Sequence, residues 1–508
     1  MHTSNRRKRR RQNAWGISNA FPQEQPIGRT SANHHPSSII VKSRLPPDWI
    51  KNEVVQPDRN LIVDYQNITM KHPHLSRRSF LKGSALATST VTFPFISTRN
   101  VLGANERLNI AGIGCGGKGK ADLTFCDSQN IVALVDIDHQ HAAEMFDKFP
   151  QARRYRDYRV MFDEMTDEID AVTISTPDHM HFHPAMRAVR SRKHVFCQKP
   201  LTHTVWEART LTQAAREAGV ATQMGNQGIS APDMRRDAEV VKAGALGEIK
   251  EMHCWTNRPG RYWNQGLGRP TGTHTAPEHV DWDLWIGCAP WRPYNPAYHP
   301  FAWRAYWDFG TGAIGDMGCH LLNLATLTMD IRDPSKIVAD GIGQTKETGP
   351  TESHIVWDFP ERPEQPAFKF HWYDGGRKPS QDLFSGVEYD TNGILMVGTE
   401  DTMLTHYSGG GELKSGRKYE DINAPRIFGE CEDWHQCHYD DWLTACRGGS
   451  SALSNFDKAG PLTEVVLLGQ VAMRAGTEIQ WDARKMKVTN NKDANQYVST
   501  TYREGWEI

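Results

Sequence analysis

The chain has 508 residues, enough for two or three domains with sizeable cores. Its 59 Lys and Arg nearly cancel its 60 Asp and Glu, so nothing in the global charge points to nucleic acid or an anionic membrane as a partner. The nine cysteines are an odd number without regular spacing, which is no disulfide framework and fits folding in a reducing compartment.

Residues 1–69 carry the run Arg6-Arg7-Lys8-Arg9-Arg10-Arg11, scattered prolines and no sustained apolar periodicity. They read as a disordered or mis-assigned extension. Ser76-Arg77-Arg78-Ser79-Phe80-Leu81-Lys82, followed by a mildly apolar stretch to Ile96, resembles the twin-arginine export signal. Residues 70–104 then form the leader, with Met70 as the true start and the periplasm as the destination. That route carries folded cargo, which suits a protein that must acquire a nucleotide first. No other stretch is long and apolar enough to span a bilayer.

Residues 105–226 read as a nucleotide-binding domain. A short apolar strand, Leu108 to Ile113, runs into Gly114-Cys115-Gly116-Gly117-Lys118-Gly119, a GxGxxG loop, and then a helical stretch from Lys120 to Cys126. Gly114 makes the tight turn, Gly116 lets the backbone approach a pyrophosphate, and Gly119 lets helix and strand pack. The alternative register, Gly112-x-Gly114-x-x-Gly117, leaves less clean strand before the turn. The phosphates would lie on the helix N terminus beside Gly117 and Lys118. Asp136, closing the strand Ile131 to Val135, would take the adenosine ribose hydroxyls and repel a 2′-phosphate, so NAD is the expected cofactor. Strands at Ala171–Ser175, His194–Cys197 and Val220–Met224 alternate with helices at Pro184–Ser191 and Trp206–Ala218, which implies a doubly wound parallel sheet. Ligands of such sheets lie at the carboxyl ends of the strands. Two ends therefore stand out: Thr176-Pro177-Asp178-His179-Met180-His181, and Gln198-Lys199-Pro200.

A strand ending in Thr-Pro with a nearby histidine, then one ending in Lys-Pro, resembles the glucose–fructose oxidoreductase/inositol dehydrogenase (Gfo/Idh/MocA) family, from about Asn105 to the C terminus. The resemblance implies that Lys199 touches both the nicotinamide side of the cofactor and the substrate hydroxyl, that the peptide before Pro200 is cis, and that His181 lines the cofactor. Thr176, Pro177 and Gln198 would do so too. Gln198 stands where the family has glutamate, which deprives Lys199 of a carboxylate favouring its ammonium form. The histidines His179, His181 and His183 alternate, but no cysteine or carboxylate cluster completes a tetrahedral set, so no metal is expected.

Residues 227–508 read as a substrate-binding α+β domain. A helix (Pro232–Ala243) and a strand (Glu248–Trp255) lead into an aromatic-rich section holding Tyr262, Trp263, Trp282, Trp285, Trp291, Trp303 and Trp307. Most of these belong to a core, yet sugar rings stack on such side chains, and Asn226, Trp303 and Arg304 are the substrate-binding candidates. In Gly312-Ala313-Ile314-Gly315-Asp316-Met317-Gly318-Cys319-His320, a helix projects Asp316 and His320 from one face. The segment resembles the family's second motif, Asp-x-Gly-x-His, whose acid and histidine meet the lysine across the nicotinamide. Later segments (Lys336–Ala339, His354–Phe359, Ala367–Tyr373, Gly393–Val397) suggest an open, mainly antiparallel sheet, which in the family serves for homo-oligomerisation. Helices at Trp434–Cys446 and Pro461–Ala475 close the chain. Cys431, His435, Cys437 and His438 fit no standard zinc ligand spacing and read as structural.

Oxidation of a secondary alcohol removes a hydride and a hydroxyl proton. His320 is placed as general base, Lys199 as the cation beside the developing alkoxide, and Asp316 as the group orienting substrate and His320. Three functions compete: an NAD-dependent dehydrogenase acting on a CH–OH of a sugar, sugar derivative or cyclitol; an NAD-retaining glycoside hydrolase that oxidises its sugar transiently; and a non-catalytic sugar-binding protein.

Overall fold

The computed structural model describes residues 107–260 and 262–508. The extension and the twin-arginine leader lie outside the described residues. Six strands form a parallel sheet in the order β3-β2-β1-β4-β5-β6: β1 (Asn109–Ile113), β2 (Asn130–Val135), β3 (Arg153–Tyr155), β4 (Ala171–Ile174), β5 (His194–Gln198) and β6 (Thr222–Gly225). The strand order reverses between β1 and β4, which opens a crevice at their carboxyl ends. Helices α1 (Gly117–Phe125), α2 (Ala143–Lys148), α3 (Tyr158–Met165), α4 (Phe182–Arg190) and α5 (Val205–Ala218) connect the strands. The short edge strand β3 and the helices on either side of it have no counterpart among the sequence expectations. Its Arg153-Arg154-Tyr155 carries no apolar run, and pairing with β2 alone makes it a strand.

The later glycine register is the one that fits the turn. Gly114 has φ +80°, and a Cβ on it would stand 2.8 Å from the Ser175 carbonyl. A Cβ on Gly119 would lie 1.9 Å from the carbonyl oxygen of Gly114, whereas one on Gly112 would meet only the tip of Leu123.

The second sheet has nine strands in the order β13-β12-β11-β7-β10-β9-β8-β14-β15. These are β7 (Ile249–Trp255), β8 (Lys336–Ile342), β9 (Glu352–Phe359), β10 (Phe368–Asp374), β11 (Gly393–Gly398), β12 (Thr402–Thr405), β13 (Glu412–Leu413), β14 (Ile479–Asp482) and β15 (Lys487–Val488). All pairs are antiparallel except β7 with β10. Strand β9 shows why one face is buried: Ser353, Ile355, Trp357 and Phe359 point inward while their alternates are half exposed, the period of two that a one-sided sheet requires. The helices of this half are α6 (Pro232–Lys242), α7 (Trp282–Ile286), α8 (Gly312–Leu321), α9 (Asn323–Thr328), α10 (Trp434–Cys446) and α11 (Phe456–Ala475). No helix among the described residues is long and apolar enough to cross a membrane.

Two packing facts place the site. Helix α11 starts at Phe456 rather than Pro461, because Asn455 caps it by accepting from the Asp457 amide. It crosses the buried face of the large sheet, with Trp357 Nε1 donating to Val465 O at 3.0 Å. Close approach is possible because Gly469 leaves room for the Trp357 ring, and α8 seats on α11 through Gly318, where a Cβ would meet Val466 at 3.0 Å. Second, α10 returns from the far end of the chain to cover one face of the parallel sheet. Its Tyr439, Trp442, Leu443 and Cys446 share a core with Leu108, Ile110, Leu123 and Phe196. Cys431 and Cys437 at the start of α10, expected to be structural, form a disulfide; the other seven cysteines are free and buried. Six residues apart, the two fall 6.1 Å apart in Cα because the first turn of α10 folds back on the loop before it.

Gly119→Ala must displace the Gly114 carbonyl and is expected to cost about 3 kcal/mol in urea denaturation, whereas Gly112→Ala, which has only a flexible leucine tip to move, is expected to cost about 1 kcal/mol or less.

Candidate active site

The glycine turn joins β1 to α1 with the loop backbone held from below. Asp136 Oδ2 accepts from the Cys115 amide at 2.8 Å and the Gly116 amide at 3.2 Å, and its Oδ1 accepts from the Asp138 amide at 2.9 Å. Asp136 is buried, and burial raises its pKa above the ordinary carboxylate value while these amides pull it back. Three backbone donors thus engage this carboxylate, which shapes the loop at the strand end where a ribose is expected.

The N terminus of α1 fits an anion. No side chain caps it, and no acid stands in its first turn. The Thr176–Pro177 segment lies directly over the turn, since Gly114 approaches both Ser175 and the Thr176 amide. Thr176 Oγ1 is buried with no partner among the described residues. An uncapped helix end beside an orphaned hydroxyl is what a dinucleotide would satisfy.

Lys118 and Gln198, expected at the cofactor, are turned elsewhere. Both serve Asp122, a fully buried carboxylate on α1. Its Oδ1 accepts from Lys118 Nζ at 2.6 Å and from Tyr439 OH at 2.5 Å, its Oδ2 from Ser175 Oγ at 2.6 Å, and Gln198 Nε2 lies 3.0 and 2.9 Å from the two oxygens. This explains the amide at position 198: a carboxylate there would face Asp122 in a water-poor site.

The three alternating histidines diverge. His179 places its ring nitrogens 3.2 Å from Phe309 O and 3.1 Å from Trp285 O; His183 Nε2 lies 2.8 Å from Trp506 O. His181 is 2.7 Å from Pro200 O and 2.9 Å from Thr176 O. Burial lowers the pKa of all three, to about 3 for His179 and about 4 for His183. His181 is thus a bracket between the two strand-end loops rather than a side chain lining the cofactor. A separate group, Glu251, His253 and His371, lies together on the large sheet. Its imidazoles stack at 4.5 Å and 15°, so their lone pairs lie in parallel planes and do not aim at a common ion.

The Lys199–Pro200 peptide is cis, and Lys199 Nζ donates to Asp316 Oδ1 at 2.7 Å. Arg258, in the loop after β7, and Arg304 bring their Nε atoms to 3.0 and 3.9 Å from the same carboxylate. These cations overcome the effect of burial and hold the Asp316 carboxyl well below the usual range. His320, one turn on in α8, has its pKa pushed down to about 3 by burial first and by Lys199 second, so its ring is neutral. Its Nδ1 is buried without a hydrogen-bond partner among the described residues, and Tyr407 stands beside it with ring centroids 6.3 Å apart. Asp316 therefore grips Lys199, and the expectation that it orients His320 is corrected.

The substrate-binding candidates divide. Arg304 is at the site. Trp303 is buried in the aromatic core, and the Arg304 guanidinium lies 4.3 Å over its ring, so no ring face is left for a sugar. Asn226 is fully buried, its Nδ2 donating to Asn323 Oδ1 at 2.7 Å. Arg258 and Tyr407 were missed; only the position of Arg258 just beyond a strand end could have marked it.

The fold and site thus define a two-domain protein with an NAD-binding Rossmann half and a catalytic-type cleft on an open-sheet half. Residues 108–226 match the family model for the oxidoreductase family, NAD-binding Rossmann fold, and residues 239–361 match that for the oxidoreductase family, C-terminal alpha/beta domain. These two stretches of the chain thus match the two domains of the Gfo/Idh/MocA oxidoreductases. It is similar to 2,7-anhydro-N-acetylneuraminate hydratase of Escherichia coli, 28% identical over 21% of this chain and 30% of that protein. It is similar also to levoglucosan dehydrogenase of Pseudarthrobacter phenanthrenivorans, 22% identical over 38% of this chain and 40% of that one. The chain spans less than half the length of these curated relatives. An inositol dehydrogenase homolog from Azotobacter vinelandii, solved with NADH and myo-inositol, shares the fold at a TM-score of 0.50 and 17% identity, covering 74% of this chain and 98% of that one.

Gln198→Glu sets a second carboxyl against Asp122, so its folded pKa is raised above the unfolded value of about 4.3. The folded state then holds the extra proton, and stability falls as pH rises through that interval. The variant is expected to melt near wild type at pH 4 and to lose about 3 kcal/mol by pH 8, read from thermal unfolding across pH.

Proposed function

We propose that the protein is an NAD-dependent oxidoreductase acting on a CH–OH group of a sugar, sugar derivative or cyclitol. The observation that carries the reading is the convergence of Lys199, Asp316 and a neutral His320 at the strand ends beyond the glycine loop. The amides at the N terminus of α1 and the Thr176–Pro177 segment would hold the cofactor, with Asp136 fixing the loop. NAD, when bound, supplies the hydride acceptor. His320, whose ring is neutral, accepts the hydroxyl proton. Lys199 donates to the oxygen as it becomes an alkoxide, and Asp316 keeps the ammonium aimed there. The name of the E. coli relative, a hydratase, describes a reaction with no net redox change, and favours keeping a second reading in which the cofactor is retained and the sugar is oxidised only transiently.

The same reading extends to location and assembly. Arg77-Arg78 would direct export of the folded protein to the periplasm. The outer face of the large sheet, where the exposed Val338 and the half-buried Val356 and His371 stand in one cross-strand row, would pair copies of the chain.

Lys199→Ala and His320→Ala are each expected to keep NAD bound and to lose turnover of the sugar by a factor on the order of 10² to 10⁴. Since Asp316 retains Arg258, Lys199→Ala is expected to lose no more than about 2 kcal/mol of stability. Wild-type turnover by either folded variant would sink the assignment. NADH accumulating in step with product supports the dehydrogenase, and reduction of retained nicotinamide without release supports the transient cycle. Changing Arg77 and Arg78 to lysine is expected to leave a precursor in the cytoplasm, detected by fractionation.

A further inference from the structure

The charge around Asp316 does not balance. Lys199, Arg258 and Arg304 all face this one carboxylate, and the four side chains are only 16, 18, 23 and 14% exposed in the order Lys199, Arg258, Arg304, Asp316. His320 is neutral and adds nothing. The next carboxylate toward the strand ends, Asp178, is itself buried and spent on the Thr311 amide and hydroxyl. Three cations thus face one carboxylate.

The donors are unsatisfied as well. Arg258 Nε lies 3.0 Å from Asp316 Oδ2, but its N–H is not aimed at that oxygen, and the atom is buried with no hydrogen-bond partner. Its guanidinium donates no hydrogen bond among the described residues, although the ring of Tyr262 lies 4.7 Å beneath it. Arg304 donates one bond, to Phe301 O, and is held in place between Phe301 and Trp303, each ring 4.3 Å from its carbon. Two guanidinium groups fixed by aromatic rings and short of acceptors are costly in a half-dry cleft unless an anion meets them. A planar fork of N–H groups is matched by carboxylate or phosphate oxygens, and poorly by scattered hydroxyls.

We propose that the substrate is an anionic sugar, one bearing a carboxylate or a phosphate that Arg258 and Arg304 grip while its reacting hydroxyl lies at Lys199 and His320. The inference rests on the oxidoreductase reading for the second half of that statement, and on the charge and donor imbalance for the first. Asp316 then has a second effect. It neutralises one of the three cations, so that the site attracts one anionic group without holding product too tightly to release.

Calorimetry on the NAD-loaded protein in low salt tests this with matched probes: D-glucose, D-glucuronate and D-glucose 6-phosphate, and the corresponding galactose and mannose series. At least one acid or phosphate is expected to bind about 10-fold or more tighter than its neutral parent, the return on one charge-assisted hydrogen bond, and to lose that margin as salt is raised. Which of the two anions gains decides between carboxylate and phosphate. Arg258→Gln and Arg304→Gln should each bring the ratio close to one, while Arg258→Lys, which keeps the charge and guards against a folding artefact, should retain part of it. No anionic probe binding better than its parent, or a preference that survives both glutamine variants, overturns the proposal. The reduction of nicotinamide, followed by absorbance on the same samples, separates the two readings. Neutral sugars reducing it with no preference for acids would leave the oxidoreductase standing without the anion site. Tight, arginine-dependent binding of an acid in every series, with no reduction in any, would leave the anion site standing without the oxidoreductase.

Discussion

The contact on which the cleft depends is the 2.7 Å bond from Lys199 to Asp316. It joins the last residues of a parallel strand to a helix seated on the antiparallel sheet, so it fixes the two halves of the chain relative to each other at the point where chemistry would occur. A partly buried pair of this kind contributes little net stability, because desolvation offsets most of the attraction. Its effect is geometric: it sets one rotamer for each partner, and Arg258 and Arg304 arrange themselves around the result. The glycines of α8 permit this. A helix with three of ten positions glycine is intrinsically weak, yet without Gly318 it could not come close enough to Val466 for Asp316 and His320 to face the strand ends.

The structure holds two buried carboxylates by opposite means. Asp122 is surrounded by donors from four segments, and only one of them, Lys118, is charged. Asp316 is surrounded by three cations with donors to spare. The first arrangement is saturated and can only be disturbed, as a glutamate at position 198 would disturb it. The second is unsaturated and invites a ligand. That contrast, rather than burial alone, separates a structural carboxylate from one in a working cleft.

Five of the six strands of the nucleotide-binding half were legible because each holds a short apolar run, which β3 lacks, and the glycine register could be chosen on strand length. Lys199, Asp316 and His320 could be brought together from their motifs, since one closes a strand and the other lies along a helix. What was not legible depends on long-range contacts. Asp122 reads in sequence as a surface partner of Lys118 four residues earlier, and only Tyr439, more than 300 residues away, makes it a core group. Arg258 carries no local mark beyond its place just after a strand end. Trp303 has the side chain of a sugar platform but the burial of a core residue. The hold of Asp136 on the glycine loop was not legible, because an acid at a strand end can turn outward to a ribose or inward to the loop, and nothing in its neighbours decides which.

The return of α10 to the glycine-loop helix also bears on how the chain becomes native as it leaves the ribosome. Until residue 439 has been made, Asp122 lacks the phenol that donates to it, and one face of the first-made sheet has no Trp442 or Leu443 to cover Leu108, Ile110 and Phe196. The nucleotide-binding half, though synthesised before the second, therefore stays incomplete until most of the second half has been translated.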